Sequence, residues 1–407
     1  MKYLTAEDFM AMIRCVTEDE QVEILTKNVM YNIIEFEGSL YRLNESTLVY
    51  SKYPLNDTSV LGFFASYLSK SIRYLSNDSK HAIASTNDHQ FKKFQRSSVF
   101  VANLRTQIRE LLTNVMETKP DFKGFDQDRS YIHFTNGYMD LVTGKFNKRE
   151  LGKHFIMYTT GYDYDESEEK EIKFVENILN KTYREPEAMN YMLHYYGMAL
   201  SGDAVKNCSI MINIGKGARG KTLMLKMIQA SIGRAYYREF DSDMFAVSNT
   251  KKDKMYNELH DKPVRIMSVN ECTSSKLSTA NLKKVADGEL QTTKLYKEGQ
   301  FDFLIQANLV ITTNLMINFQ CDTGINRRIV GYEYKNEFVR DEEKHRANNK
   351  TIFVEDQSMK SRFQSDPRLK LAVFNLLLPY TMKWYKNNKL INCKVPDVMN
   401  GVKDEMI

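Results

Sequence analysis

Cysteine is sparse and scattered. The five present, Cys15, Cys208, Cys272, Cys321 and Cys393, form no C-x-x-C pair, and no histidine stands at zinc-ligand spacing to them. That pattern excludes a cysteine-based zinc site and leaves free buried thiols as the expectation. Proline is also scarce, 7 in 407 residues, so no Pro-rich linker marks a domain boundary. Long apolar runs are missing: stretches such as Leu376 to Leu378 are short and have polar neighbours. A membrane-spanning helix is therefore not expected, nor a membrane partner. No repeat of solenoid period and no low-complexity tract occurs. The N-terminus, Met1-Lys2-Tyr3-Leu4 turning acidic at Glu7 and Asp8, lacks the apolar stretch of a signal peptide. The expected location is cytoplasm or nucleus, not the secretory route. The net charge of +5 is too small to identify a nucleic-acid binder by itself.

What the chain does contain is an ordinary globular balance, 42% hydrophobic and 27% charged residues, in a length sufficient for two or three domains. The first part reads as helix-rich α+β. Thr5 and Asp8 precede apolar Phe9, Met12, Ile13 and Val16 like an N-cap, and Val60 to Leu75 and Phe100 to Val115 repeat a helical spacing. Ile24 to Tyr50 reads as short strands with Gly38 at a turn. Around Tyr131 to Leu141, with Asn136-Gly137 and Thr143-Gly144, the pattern becomes strands and tight turns. Glu166 to Ser201 reads as helical, with Phe174, Ile178, Met192 and Leu193 as core positions. From Asn207 to Tyr334 apolar strands alternate with helices, which predicts a mostly parallel sheet flanked by helices. Leu369 to Lys386, carrying the lone Trp384, is an amphipathic helix. The resulting expectation is an α/β protein in four parts: an N-terminal α+β region over 1–120, a helical collar-like region over 121–205, an ATPase core over 206–335 and a helical C-terminal segment over 336–407.

The strongest motif is Gly215-Lys216-Gly217-Ala218-Arg219-Gly220-Lys221-Thr222, which fits G-x-x-x-x-G-K-[ST] at every fixed position. Its context agrees, with the apolar run Ser209 to Ile214 before it and the helical run Leu223 to Ser231 after it. Glycines let successive N–H groups point at phosphates, and the following helix N-terminus adds partial positive charge. In this reading Lys221 neutralises the β- and γ-phosphates of ATP or GTP and the Thr222 hydroxyl ligates Mg2+. Hydrolysis also needs a carboxylate on a neighbouring strand, and Val264 to Glu271 is an apolar strand ending in Glu271. The strand Ala307 to Asn314 ends in Asn314, where an amide can reach the γ-phosphate or the attacking water. Arg327-Arg328 follows Asn326; paired arginines are usually a solvated surface, but an arginine offered to a neighbouring subunit's phosphates is a common activator.

Gly215–Thr222, Glu271, Asn314 and Arg327-Arg328, in this order and within little more than a hundred residues, resemble the superfamily 3 helicases of DNA viruses. The stretch Leu282 to Glu289 through Lys294-Leu295-Tyr296-Lys297 is similar to the additional motif of the poxvirus-type, phage and plasmid primase-helicases. The resemblance covers roughly residues 90 to 390. It implies a P-loop, AAA+-like ATPase core that assembles as a ring, expected to be a homohexamer, with ATP between subunits and single-stranded DNA in the pore during viral or mobile-element replication in a host cell. By the same resemblance Lys221 and Thr222 hold phosphates and Mg2+, Glu271 activates water, Asn314 senses the γ-phosphate, and Arg327 or Arg328 acts in trans. A pore hairpin would carry Lys294, Tyr296 and Lys297 to the strand, a basic–aromatic set suited to phosphates and base faces.

Two positions depart from the pattern. Asn270 stands before Glu271 where many P-loop enzymes have a second acid, and Asn326 precedes the arginine pair where an aromatic residue is frequent. The first 90 residues lack a paired-acid set for primer synthesis, and Asp163-Tyr164-Asp165 reads as a solvated loop, so a separate primase or polymerase is the expected partner. The rival reading is an ATP-binding switch or assembly ATPase without strand separation.

Overall fold

Strand order decides which of these motifs meet. The computed structural model describes residues 32–36, 39–53, 124–203, 207–245, 252–260, 262–270, 277–288, 290–295, 299–317, 323–340, 350–391 and 393–406, with isolated positions 7, 8, 11, 20, 24, 67, 70, 122, 272 and 319. The side chains of residues 35, 252–254, 290–295 and 299–302 are outside that description. Two units are formed, Met1–Gln127 with Arg149–Met157, and Asp128–Lys148 with Tyr158–Ile407.

In the first unit β1 (Ile33–Phe36), β2 (Ser39–Asn44) and β3 (Val49–Tyr53) make an antiparallel sheet in that order. Alternation along β2 buries Tyr41 and Leu43 and exposes Arg42 and Asn44, as a one-sided sheet requires. The inward residues meet Phe125 and Phe155 in an aromatic cluster, Tyr41 lying 4.6 Å from Phe125 between ring centres. Asn44 turns the chain into β3, its Oδ1 accepting from the Ser46 amide at 3.0 Å. Gly38 and most of the expected helical stretches within residues 5–16, 60–75 and 100–115 lie outside the described residues.

The second unit opens with the antiparallel sheet β4 (Tyr131–Phe134), β5 (Gly137–Asp140) and β6 (Lys145–Asn147). Helices α1 (Glu169–Thr182) and α2 (Pro186–Ala199) follow; Pro186, at the first helical turn, divides the stretch read from the sequence as helical throughout. Then come β7 (Ile210–Ile214), α3 (Lys221–Tyr236), β8 (Tyr237–Phe240), α4 (Lys252–His260), β9 (Ile266–Val269) and α5 (Thr279–Ala286). An antiparallel hairpin of β10 (Leu290–Leu295) and β11 (Gly299–Leu304) precedes β12 (Asn308–Thr313), α6 (Thr323–Asn326) and β13 (Ile329–Glu333). A parallel pair, β14 (Glu337–Val339) and β15 (Ile352–Val354), leads to α7 (Met359–Ser365), α8 (Pro367–Lys386) and α9 (Asp397–Met406).

The central sheet is five-stranded and parallel, in the order β13-β7-β12-β9-β8. β7, β9 and β12 are buried on both faces, so β7 reads as an almost unbroken apolar run, Ile210-Met211-Ile212-Asn213-Ile214. Ile210, Ile212 and Ile214 turn to one core with Leu309 and Ile311, while Met211, Val310 and Tyr332 turn to the other. That second core is closed by α2, α3 and α8, and Trp384 is buried in it at 2% exposure. Asp366 caps α8 by accepting from the Arg368 amide at 3.0 Å, with Pro367 at the first turn. Ile178, Met192 and Leu193 are buried as expected; Phe174 is half-buried, packed against the same core and also bordering a cleft. Cys272 is buried, Cys208 and Cys393 only partly so, and all three are free thiols; Cys15 and Cys321 lie outside the described residues. No helix among the described residues is long and apolar enough to cross a membrane.

Candidate nucleotide site and strand hairpin

Parallel strands deliver their C-terminal ends to one edge of the sheet, and the glycine-rich loop leaves β7 at that edge. Residue 215 must be glycine: at φ +149° an added Cβ would lie 2.8 Å from the Tyr334 carbonyl oxygen. Gly220 precedes α3 at φ +88°, and a Cβ there would press on Thr182 and Phe338 at 3.1 and 3.2 Å. The loop is clamped from β14. The Phe338 amide donates to the Ala218 carbonyl at 2.9 Å, and Arg219 donates to the Lys335 carbonyl and pairs with Glu337 at 3.3 Å. Its other flank is held by tyrosines whose hydroxyls burial pushes well above their usual pKa, Tyr183 and Tyr334 lying 3.1 Å apart.

Lys221 opens α3 and is 8% exposed. Its Nζ donates back to the carbonyls of Gly215 and Lys216, the latter at 2.9 Å, and to Asn314 Oδ1 at 3.1 Å. The last contact follows from the sheet order, because β12 is the immediate neighbour of β7 and Asn314 comes directly after it. The strand leading to Glu271 is not adjacent to β7 as expected from the sequence; β12 is inserted, so β9 ends about 10 Å away by the spacing of strands. Asn270 and Cys272 are both tied to β12, the Thr312 hydroxyl donating to Asn270 Oδ1 at 2.8 Å and the Cys272 amide to the Thr312 carbonyl at 2.8 Å. Glu271 itself lies outside the described residues.

These groups form the floor of a cleft of about 1090 Å³. Gly217 to Leu223, Asn270 and Thr312 to Asn314 line its polar end, Thr222 among them. Away from the loop the lining is mixed, with Asn177, Lys181, Arg340, Glu355, Asp356 and Lys360 standing among apolar side chains. Phe174 and Ile178 of α1 stand on one side, Phe338, Val354 and Met359 on the other, and the Arg362 guanidinium lies over the Phe174 ring at 4.8 Å. Neither wall was legible as part of the site from the sequence, where Phe174 read as core.

Arg327 and Arg328 lie at the other edge of the sheet. Ile329, the next residue, pairs with Ile210 at the start of β7, so the pair is roughly 15 Å from the glycine loop along the strand. The two arginines differ. Arg327 is exposed, and its charge adds to the field at Asp287 and Cys208. Arg328 is 6% exposed, and its Nε and NH2 donate to the two carboxylate oxygens of Asp287 at 2.7 and 2.6 Å. That guanidinium holds the Asp287 carboxyl below its ordinary pKa. The hairpin expected to carry Lys294, Tyr296 and Lys297 is present as β10–β11. Lys294 is in β10 opposite Gln300, with its side chain undescribed, while Tyr296 and Lys297 lie outside the described residues.

Comparison with known proteins adds a limited frame. A family model described as D5 N terminal like matches residues 61–183. No curated protein matches the chain. Among solved structures, an A form apo structure of the NrS-1 C terminal region (305–718) is 12% identical with a TM-score of 0.40, the alignment covering 62% of this chain and 56% of that one. A second apo structure of that region is 11% identical with a TM-score of 0.44, covering 74% of this chain and 66% of that one. The chain thus spans less than two thirds of those structures, and likeness at this level bears on neither activity nor ligand. Similarity to the D5 N-terminal-like family is established for residues 61–183 alone.

Proposed function

We propose that this chain is an ATP-driven motor of the superfamily 3 helicase type, which translocates on single-stranded DNA as a ring-shaped homo-oligomer, a hexamer by the resemblance. The observation that carries the reading is the convergence of Lys221 and Asn314, 3.1 Å apart, at the polar floor of a cleft of about 1090 Å³. The match of residues 61–183 to the D5 N-terminal-like family supports a replicative setting.

The chain's own groups divide the work. Amides of the loop and of the first turn of α3 have no intrahelical partners and would bind the β-phosphate. Lys221, on receiving the nucleotide, exchanges carbonyl acceptors for β- and γ-oxygens, and Asn314 turns its amide toward the γ-phosphate. Phe174, Ile178 and Met359 offer apolar surface for the base in the part of the cleft away from the loop. Thr222 and Asn270 both line the cleft, and the Thr222 hydroxyl is a hard donor that would hold Mg2+ together with the Glu271 carboxylate. Bound with the nucleotide, Mg2+ supplies neutralisation of the phosphate oxygens. Glu271 is assigned the activation of water, and Lys294, Tyr296 and Lys297 the grip on the strand.

Arg327, exposed and roughly 15 Å along the strand from its own loop, fits a role on a neighbouring subunit's phosphates. Arg328 is spent on Asp287 and does not fit it. The test is steady-state ATP hydrolysis with and without single-stranded DNA. Stimulation by DNA in the wild type, lost in Glu271→Gln, supports the motor; hydrolysis indifferent to DNA would replace it with a switch or assembly ATPase.

A further inference from the structure

Arg328 is too well held for a residue whose neighbour faces solvent. Its three guanidinium nitrogens are committed, two to Asp287 and NH1 to the Gly324 carbonyl. Its backbone is committed as well: the amide donates to Ile325 at 2.9 Å and the carbonyl accepts from Ile210 at 2.7 Å. The fork-to-fork geometry with a carboxylate is the stiffest pairing an arginine makes. Arg327 is therefore presented from an anchored turn.

The other end of the anchor is equally informative. Asp287 is the C-cap of α5, its amide donating to the Lys283 carbonyl at 2.8 Å, and Gly288 leaves the helix in the left-handed region at φ 62°. Leu290, the first residue of the hairpin, comes two positions later. The Cys208 thiol, just ahead of β7, also hydrogen-bonds the Asp287 carboxylate. One carboxylate thus gathers the exit of a helix, the entry to the loop-bearing strand and the arginine turn, three residues before the hairpin begins.

We infer that the Asp287–Arg328 ion pair is the mechanical link between Arg327 and the base of the β10–β11 hairpin, so that nucleotide contact by Arg327 and strand contact by the hairpin are felt at each other's sites. Asp287 and Arg328 are positioning residues in this scheme and touch neither ligand. The inference rests on the motor reading, and it makes one demand that a purely structural ion pair does not. Linkage is reciprocal, so breaking the pair must uncouple the two sites while leaving each able to bind.

The experiment measures ATP hydrolysis by the full chain with and without a single-stranded oligonucleotide, in wild type, Asp287→Asn, Arg328→Lys, the double variant and Asp287→Glu. The readout is the ratio of the two rates, which does not depend on the fraction of protein folded. In Asp287→Asn the ratio falls about fivefold or more with KM for ATP unchanged. Asp287→Glu, which keeps the charge, recovers part of it. The double variant loses no more than the worse single one, because the pair acts as a unit. A wild-type ratio retained in both single variants overturns the link, as do losses that simply add in the double variant. A wild type that hydrolyses ATP without responding to DNA defeats the motor reading itself, a failure visible before any variant is made.

Discussion

Replacing Lys221 with methionine separates the stability of the empty site from its affinity for nucleotide. The ammonium is 8% exposed and bonded to the Gly215 and Lys216 carbonyls and to Asn314. Methionine keeps most of the packing stem while removing charge and donors together. Loss of a buried charge offsets loss of its hydrogen bonds, so the empty protein changes stability by about 1 kcal/mol or less. Nucleotide binding responds differently. One or two charge-assisted bonds to phosphate are lost, and a point charge beside the γ-phosphate contributes about 4 kcal/mol at 4 Å before its competing solvation is counted. The net loss is about 2–4 kcal/mol, roughly 30- to 1000-fold in Kd. Titration calorimetry with a non-hydrolysable ATP analogue measures that factor directly. Thermal unfolding supplies the control: the analogue at roughly 100 times its wild-type Kd stabilises wild type by about 2.7 kcal/mol and the variant by about 0.9 kcal/mol or less. An analogue-induced shift of equal size in both proteins would refute the assignment of Lys221 to the phosphates.

Other expectations follow from the same geometry. Arg327→Ala leaves thermal stability within about 0.5 kcal/mol and stops turnover, whereas Arg328→Ala removes a buried guanidinium with its bonds to Asp287 and Gly324 and costs about 1–3 kcal/mol on denaturant unfolding. Equal stabilities of the two variants would contradict the difference in their surroundings. Phe174→Ala raises KM for ATP by the worth of a base–aromatic stack, about 1–3 kcal/mol, with kcat little changed. A KM at the wild-type value would place the base elsewhere. The Asp287 carboxyl titrates below its ordinary 3.8 in the folded state, so its contribution is complete above that value and is lost as pH falls through the lowered pKa. The stability gap between wild type and Asp287→Asn should therefore be flat from about pH 5 to 8 and close only in stronger acid, as read from urea midpoints.

What the sequence made legible was local. Gly215 to Thr222 declared itself because every special position falls within eight consecutive residues, and the strands at 210–214, 266–269 and 308–313 declared themselves by apolar runs between breaks. Contacts set by strand order were not legible. Nothing in the spacing of Glu271 and Asn314 says that β12 slides between β7 and β9 and brings Asn314 to Lys221. Arg327 and Arg328 are indistinguishable as neighbours in a sequence; the difference is a carboxylate 41 positions away. The walls of the cleft are assembled from α1, β14, β15 and α7, pieces separated by more than 150 residues, and Phe174 there looked like any other core position of an amphipathic helix. Pro186 was a signal within reach, since proline at a helix start marks the boundary between α1 and α2.

The proposed motor activity requires that ATP hydrolysis move the protein along a strand. The direct measurement is displacement of a labelled oligonucleotide from a partial duplex with single-stranded tails of either polarity, in ATP and in a non-hydrolysable analogue, with Lys221→Met as control. The account predicts displacement in ATP from one tail polarity, and none in the analogue or the variant. Brisk ATP hydrolysis under the same conditions with the duplex left intact would contradict it and make the chain a nucleotide switch.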